Sequence, residues 1–176
     1  MAAPGNEPEP AVLAVYHTGV TVTNLDRSLS FYRDLLGLEV VGTRTAREPY
    51  ILRLVDAPNA TLQIALLRVP GCPHLLELLE YVNIERAPVT SRPRDPGTAH
   101  LCFYVRNLAG MYSRLMSAGI EALSEPLTAT AGRNAGATIV YVRDPDGFWV
   151  ELIDDPNHSS HPVRVGAEGL EPRSAR

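Results

Sequence analysis

His100-Leu101-Cys102-Phe103-Tyr104-Val105-Arg106-Asn107-Leu108 is the stretch on which the reading of this chain turns. It reads as a strand that opens on a histidine and runs into an Asn suited to cap a helix. The same design stands near the start as His17-Thr18-Gly19-Val20-Thr21-Val22-Thr23-Asn24-Leu25, again with Asn seven positions after His and Leu next. After each copy a short amphipathic helix is expected, ending at Gly37 in the first and Gly119 in the second. Such self-similarity sets the architecture: one module, used twice, with a histidine at the same place on each first strand.

Working outward, residues 11–22 form a β-rich run in which His17, Gly19 and Thr21 share one face, and Tyr16, Thr18, Val20 and Val22 the other. The His face is built from small residues and leaves room above the sheet. Leu25, Leu29, Tyr32 and Leu36 recur at helical spacing. Strands are expected at 38–43, 61–69 and 74–82. Residues 45–59 read as a strand or as a short helix covering a pocket, between Pro49 and Pro58. In the strand at 74–82, Leu75, Glu77, Leu79 and Tyr81 lie on one face and His74, Leu76, Leu78 and Glu80 on the other, so His74 is left out of any site with Glu77. A carboxylate among leucines is costly unless something pairs with it.

The second copy repeats the plan. His100, Cys102 and Tyr104 share a face; Asn107 caps a helix bearing Leu108, Met111, Tyr112 and Leu115. Strands follow at 122–127 and 138–143, the latter ending in the turn Asp144-Pro145-Asp146-Gly147. The last strand, 148–153, carries Trp149, Glu151 and Ile153 on one face. The expected class is α+β, with two βαβββ modules. The expected division is a disordered tail over 1–10, a first module over 11–83, a Pro-rich linker over 84–97, a second module over 98–155 and a loose tail over 156–176.

Composition narrows the setting. The chain has 176 residues, 45% of them hydrophobic, enough for a real core. A net charge of −4 with no basic stripe argues against nucleic acid as a partner. No apolar run reaches the length of a membrane span, and residues 1–10 are not a secretory signal. Two cysteines, Cys72 and Cys102, lack metal-type spacing and suit a reducing compartment, so the cytoplasm is expected.

Each module thus offers one His on its first strand and one isolated Glu on its last: His17 with Glu77, and His100 with Glu151. Two imidazoles and two carboxylates suit a divalent Zn, Ni, Co, Mn or Fe ion. The competing reading pairs each Glu with an Arg and makes each His a satisfied core residue; the symmetry of the placement favours the metal.

His17-Thr18, the run Leu25-Asp26-Arg27-Ser28-Leu29-Ser30-Phe31-Tyr32-Arg33-Asp34-Leu35-Leu36-Gly37-Leu38, Leu76-Glu77-Leu78, Gly97-Thr98-Ala99-His100 and Asp144-Pro145-Asp146-Gly147-Phe148-Trp149-Val150-Glu151-Leu152 together resemble the vicinal-oxygen-chelate superfamily. Its members include glyoxalase I, epimerases, extradiol dioxygenases and bleomycin-binding proteins. The resemblance spans about residues 12–155, is closest to the glyoxalase I-like and epimerase-like branch, and implies that the two modules form a curled mixed sheet with the helices on its convex face. It implies that His17, Glu77, His100 and Glu151 ligate one divalent metal per site, within one chain or across a homodimer. It implies a metalloenzyme like a lactoylglutathione lyase or an epimerase: an isomerase or lyase that moves a proton next to a carbonyl of a small substrate, with Glu151 as base and Glu77 as the alternative. A non-catalytic antibiotic-binding resistance protein and an extradiol-type dioxygenase are the other readings. The run after Glu77, Leu78-Leu79-Glu80-Tyr81-Val82-Asn83, departs from glyoxalase I and speaks against a glutathione hemithioacetal. Trp149, Tyr81, Tyr104 and Arg133 are expected substrate contacts. Arg53, His158 and His161 read as solvated, and Cys102 as a small buried hydrophobe.

Overall fold

The computed structural model describes residues 9–158. The first module runs β1 (His17–Val22), α1 (Leu25–Leu29), β2 (Glu39–Ala46), α2 (Pro49–Leu54), β3 (Thr61–Arg68) and β4 (Leu75–Val82). The second runs β5 (His100–Tyr104), α3 (Leu108–Ser117), β6 (Leu127–Thr128), β7 (Thr138–Arg143) and β8 (Trp149–Asp154). Each module makes a four-stranded mixed sheet, β1-β4-β3-β2 and β5-β8-β7-β6. In both, the His strand lies parallel to the Glu strand, and the remaining pairings are antiparallel.

The alternation in β1 is real. Val20 and Val22 are buried while His17, Gly19 and Thr21 are exposed. The buried face packs with Leu25, Leu29, Phe31 and Tyr32 of the first helical segment, Leu76 and Leu78 of β4, and Leu108 and Leu115 of α3. Val140, Val142, Val150 and Leu152 of the second sheet join the same cluster. Helices α1 and α3 therefore share one core, on the face of each sheet opposite its histidine. The short helix α2 covers a separate small cluster formed by Ala46, Ala57, Ala60, Leu62 and Ile64, which decides between the two readings of residues 45–59.

Polar ties bind the modules. The Tyr32 hydroxyl donates to buried Asp144 at 3.0 Å. Asp146 accepts from the Thr23 backbone N–H at 2.9 Å and from Arg27 at 2.6 Å. Arg114 of α3 donates to the Leu35 carbonyl.

Three local expectations are corrected. The run 11–22 forms a strand only from His17, because β4, its pairing partner, begins at Leu75 after the 70–73 turn and offers nothing earlier to pair with. The helix after Asn24 changes character: Ser30–Leu35 is π-helical, with the Leu36 N–H bonded to the Phe31 carbonyl, and the wider turn carries adjacent Phe31 and Tyr32 into the core together. In place of a strand at 122–127, Ala122 makes one bridge to Val142 and only Leu127–Thr128 pairs; Pro126 has no N–H for a ladder.

Both helix caps are completed from the Glu strands. The Leu25 N–H donates to Glu80 at 2.8 Å and the Leu108 N–H to Asp154 at 2.9 Å, each acceptor three residues beyond its module's candidate ligand. Asn24 and Asn107 side chains accept from Arg27 and Gly110 N–H groups as expected. Glu80→Ala should therefore cost about 0.5–2 kcal/mol, read as a lower urea midpoint with unchanged slope. Among the described residues no helix is long and apolar enough to cross a membrane.

Candidate metal centre

The site begins with strand register. In the first module Gly19 lies directly opposite Glu77, so His17, two residues earlier on the same face, reaches the carboxylate diagonally. His17 Nε2 stands 3.3 Å from Glu77 Oε2. Gly19 does not adopt a left-handed backbone; its lack of a side chain leaves space, since an added Cβ would come within 3.8 Å of that carboxylate oxygen.

The second module repeats this. Cys102 lies opposite Glu151, and His100 Nε2 is 3.3 Å from Glu151 Oε2. Here two further groups join. Tyr141 of β7 also lies opposite Glu151, and its hydroxyl is 3.3 Å from His100 Nε2. Loss of water and the Glu151 charge push both the Cys102 thiol and the Tyr141 hydroxyl up to about 12, so both keep their protons at neutral pH.

Over residues 14–152 the chain matches the model of the glyoxalase/bleomycin resistance protein/dioxygenase superfamily. The chain belongs to that superfamily. It is 34% identical to a 2-epi-5-epi-valiolone epimerase from Actinomyces sp., over 84% of this chain and 82% of that one. It is 29% identical to a lactoylglutathione lyase from Pseudomonas putida, over 84% and 88%. A glyoxalase family protein from Bacillus cereus shares the fold with a TM-score of 0.74 at 20% identity, covering 84% of this chain and 97% of that one.

Members of this superfamily often carry a divalent metal, and the donor pairs fit one. Two atoms each about 2.1 Å from one ion stand about 3.0–3.4 Å apart at octahedral or tetrahedral angles, and both His–Glu pairs are 3.3 Å apart. The pairs are open to solvent: the His17 and Glu77 side chains are 35% and 21% exposed, those of His100 and Glu151 44% and 17%. The chain does not bring the four together. Among the described residues no group of three or more His, Cys, Asp or Glu is placed to hold one ion. Each pair lies on the sheet face turned away from the shared core.

The superfamily fold places the other expected residues unevenly. Tyr81 lies near Glu77, and loss of water followed by that carboxylate raises its pKa. Trp149 is buried; its indole donates to the Ser91 carbonyl at 3.3 Å, and the Arg143 guanidinium stacks over it at 4.1 Å. It is a wall beside the second pair, next to a cavity of about 450 Å³ bordered also by Arg92, Arg94 and Glu121. Tyr104 reaches Asn134 at 3.5 Å, in the loop that carries exposed Arg133. His158 is exposed as expected, with its ring stacked on Tyr104 at 4.0 Å. Arg53 is exposed on α2, and His74 bonds Thr18 at 2.9 Å on the far face. His161 lies outside the described residues. Cys102 is not the buried hydrophobe expected; it is exposed and faces Glu151. Tyr141 escaped the sequence reading. The turn 144–147 held the signal, because counting back across it from Glu151 sets the register that brings Tyr141 alongside.

Proposed function

We propose that this protein is a metal-dependent isomerase or lyase of the glyoxalase I/epimerase type, moving a proton next to a carbonyl of a small substrate. The observation that carries the reading is the repeated His–Glu pair: two modules, the same register, the same 3.3 Å separation. A fold alone would not license it. The relatives that are an epimerase and a lactoylglutathione lyase support this class of reaction. When bound, the ion acts as a Lewis acid on the substrate oxygens. His17, His100, Glu77 and Glu151 would hold it, and a carboxylate of the pair set takes the proton from one face of the carbon and returns it. The run after Glu77 argues for a carbonyl substrate other than a glutathione adduct.

The reading includes a homodimer in the cytoplasm. Both His-bearing faces point away from the core that the modules share, so one chain cannot close its two pairs round an ion without parting that core. A second copy, setting its second module against the first module here, completes the set. Val12, Leu13, Val15 and Tyr16, exposed just ahead of β1, give that copy an apolar strip to cover.

The test is solvent-deuterium exchange at the carbon next to the carbonyl, screened over α-hydroxy ketones, hemithioacetals and acyl-thioesters, with metal content measured in parallel. Exchange that needs about one divalent ion per chain is the expected result. No ion after reconstitution, or oxygen uptake with a catechol and no exchange, would overturn the reading.

A further inference from the structure

The cavity of about 450 Å³ beside the second pair is placed there by strand register. Trp149 lies opposite His100 across the parallel β5–β8 pairing, and Arg143 lies opposite Trp149 on β7, so both share the sheet face that carries His100 and Glu151. Arg92 and Arg94 reach the cavity from the segment ahead of β5, and Glu121 from the chain after α3. Arg143 is held on several sides. Its guanidinium stacks over the Trp149 ring at 4.1 Å and donates to the Gly147 carbonyl at 3.0 Å and the Ser91 carbonyl at 3.2 Å. The same Ser91 carbonyl accepts the Trp149 indole N–H, which ties that segment to the wall. Two of the five guanidinium N–H donors are thereby used and Nε faces Glu121 at 4.0 Å, so two remain. Asp95 neutralises Arg92, and Glu121 offsets Arg143. Among the described residues Arg94 has no acidic or hydrogen-bonding partner. The cavity thus keeps a surplus positive charge in a chain whose net charge is −4.

We propose that this cavity binds an oxyanion group of the substrate, phosphate or carboxylate, with Arg94 and Arg143 as its binding residues. The inference rests on the function proposed above for the carbonyl end of that substrate, and on the cavity alone for the anionic end. A guanidinium is always charged, and its planar fork meets either oxyanion with two parallel N–H donors. Arg143 is placed in advance by its ring stack and its two carbonyl bonds, so little side-chain freedom is lost when the anion enters. Arg94 gives up no bond of its own to reach it. The Trp149 ring floors the site beside Arg143 and keeps water from that side. The volume falls within the range of about 300–1,000 Å³ usual for small-ligand pockets. It holds the anion together with part of the carbon chain that leads back to the carbonyl. The substrate class is therefore a small carbonyl compound that carries a phosphate or carboxylate away from the reacting carbon.

Trp149 is the single tryptophan of the chain, so its fluorescence reports on this cavity. The full chain, free of metal, is titrated with inorganic phosphate, with acetate and with neutral glycerol at constant ionic strength, by fluorescence and by calorimetry. The expected result is a saturable response to phosphate or to acetate and none to glycerol, and the anion that responds names the group. Arg94→Gln and Arg143→Gln should each weaken that affinity by about 10–100-fold. Arg94 is exposed and bonds nothing, so its variant folds even if the Arg143 variant does not. No saturable response to either anion, or the parent's affinity in Arg94→Gln, would overturn the site. With metal loaded, deuterium exchange should show a KM about 10–100-fold lower for an anionic hydroxy ketone than for its neutral analogue. Arg94→Gln should erase that difference by raising the lower KM. Equal KM values in the parent would overturn the substrate class. Anion binding without exchange on any carbonyl compound overturns the proposed reaction and leaves the anion site standing. Exchange without anion binding does the reverse.

Discussion

His17→Ala and His100→Ala, made separately, should each leave the purified protein without its divalent ion and without proton exchange. The two substitutions lie on different sheets, and neither histidine supports the core: both side chains are on exposed faces, 35% and 44% open. Each change removes one of the four proposed donors. The loss should exceed the about 10–100-fold in affinity that outer-shell partners command, because a ligand bond and not its orientation is lost. Thermal stability without added metal should change little, within about 0.5 kcal/mol, as for surface positions away from special features. Equilibrium dialysis with elemental analysis checks the first part and thermal unfolding of the metal-free protein the second. Retained metal in either variant would remove that histidine from the ligand set.

Asp144→Ala should be the most damaging single change to the fold. Asp144 is 4% exposed and accepts three hydrogen bonds: the Tyr32 hydroxyl at 3.0 Å, the Asp146 N–H at 2.9 Å and the Phe148 N–H at 2.8 Å. Alanine leaves those donors unpaired, one of them across the seam between the modules. At about 1–3 kcal/mol per buried unsatisfied group and incomplete additivity, the expected cost is about 2–5 kcal/mol, or a fall in Tm of about 5–15 °C.

The same residue makes a pH signature. Burial raises the Asp144 pKa above the ordinary aspartate value, against the opposing pull of its hydrogen bonds from Phe148, Tyr32 and Asp146. A carboxyl whose folded pKa is raised binds its proton more tightly in the folded state. The stability it contributes is therefore complete below the unfolded value near 4 and is lost as pH rises through the folded value. Asp144→Asn cannot ionise. Its stability relative to the parent should rise with pH across that window and level off above it, in urea titrations at stepped pH. A difference independent of pH would show that Asp144 ionises as freely folded as unfolded.

Much of this was legible in the residues because local rules and the final packing agree. Strand parity separated His17, Gly19 and Thr21 from Val20 and Val22 before any neighbour was known. The core then took the second set, because a period of two leaves no other choice. Gly37 and Gly119 stop their helices at φ of +84° and +76°, where a side chain would be strained. Other features depend on partners far along the chain. Nothing in residues 11–16 tells that β4 starts too late to pair with them. The π-helical turn answers to the joint burial of Phe31 and Tyr32, not to helix propensity. Tyr141 joins the site through a register set across the 144–147 turn, which alternation within β7 alone cannot supply. The separation of the two His–Glu pairs was beyond reach for the same reason. The pattern shows that both modules carry a pair, but only the shared core shows that the faces bearing them turn away from each other.

That separation makes the shared site the central claim, and mixing two inactive chains tests it directly. Metal-free His17→Ala and His100→Ala proteins, unfolded together and refolded as a mixture, form mixed dimers at random. In a mixed dimer one site carries both lesions, while the other joins an intact His17–Glu77 pair to an intact His100–Glu151 pair. Statistical pairing of two subunits around a two-fold axis should restore about a quarter of the parent's tight metal sites and exchange activity. Restoration near that level is the predicted result. A mixture that binds no more metal than its two components alone would contradict the account, because every chain would then be completing its own site.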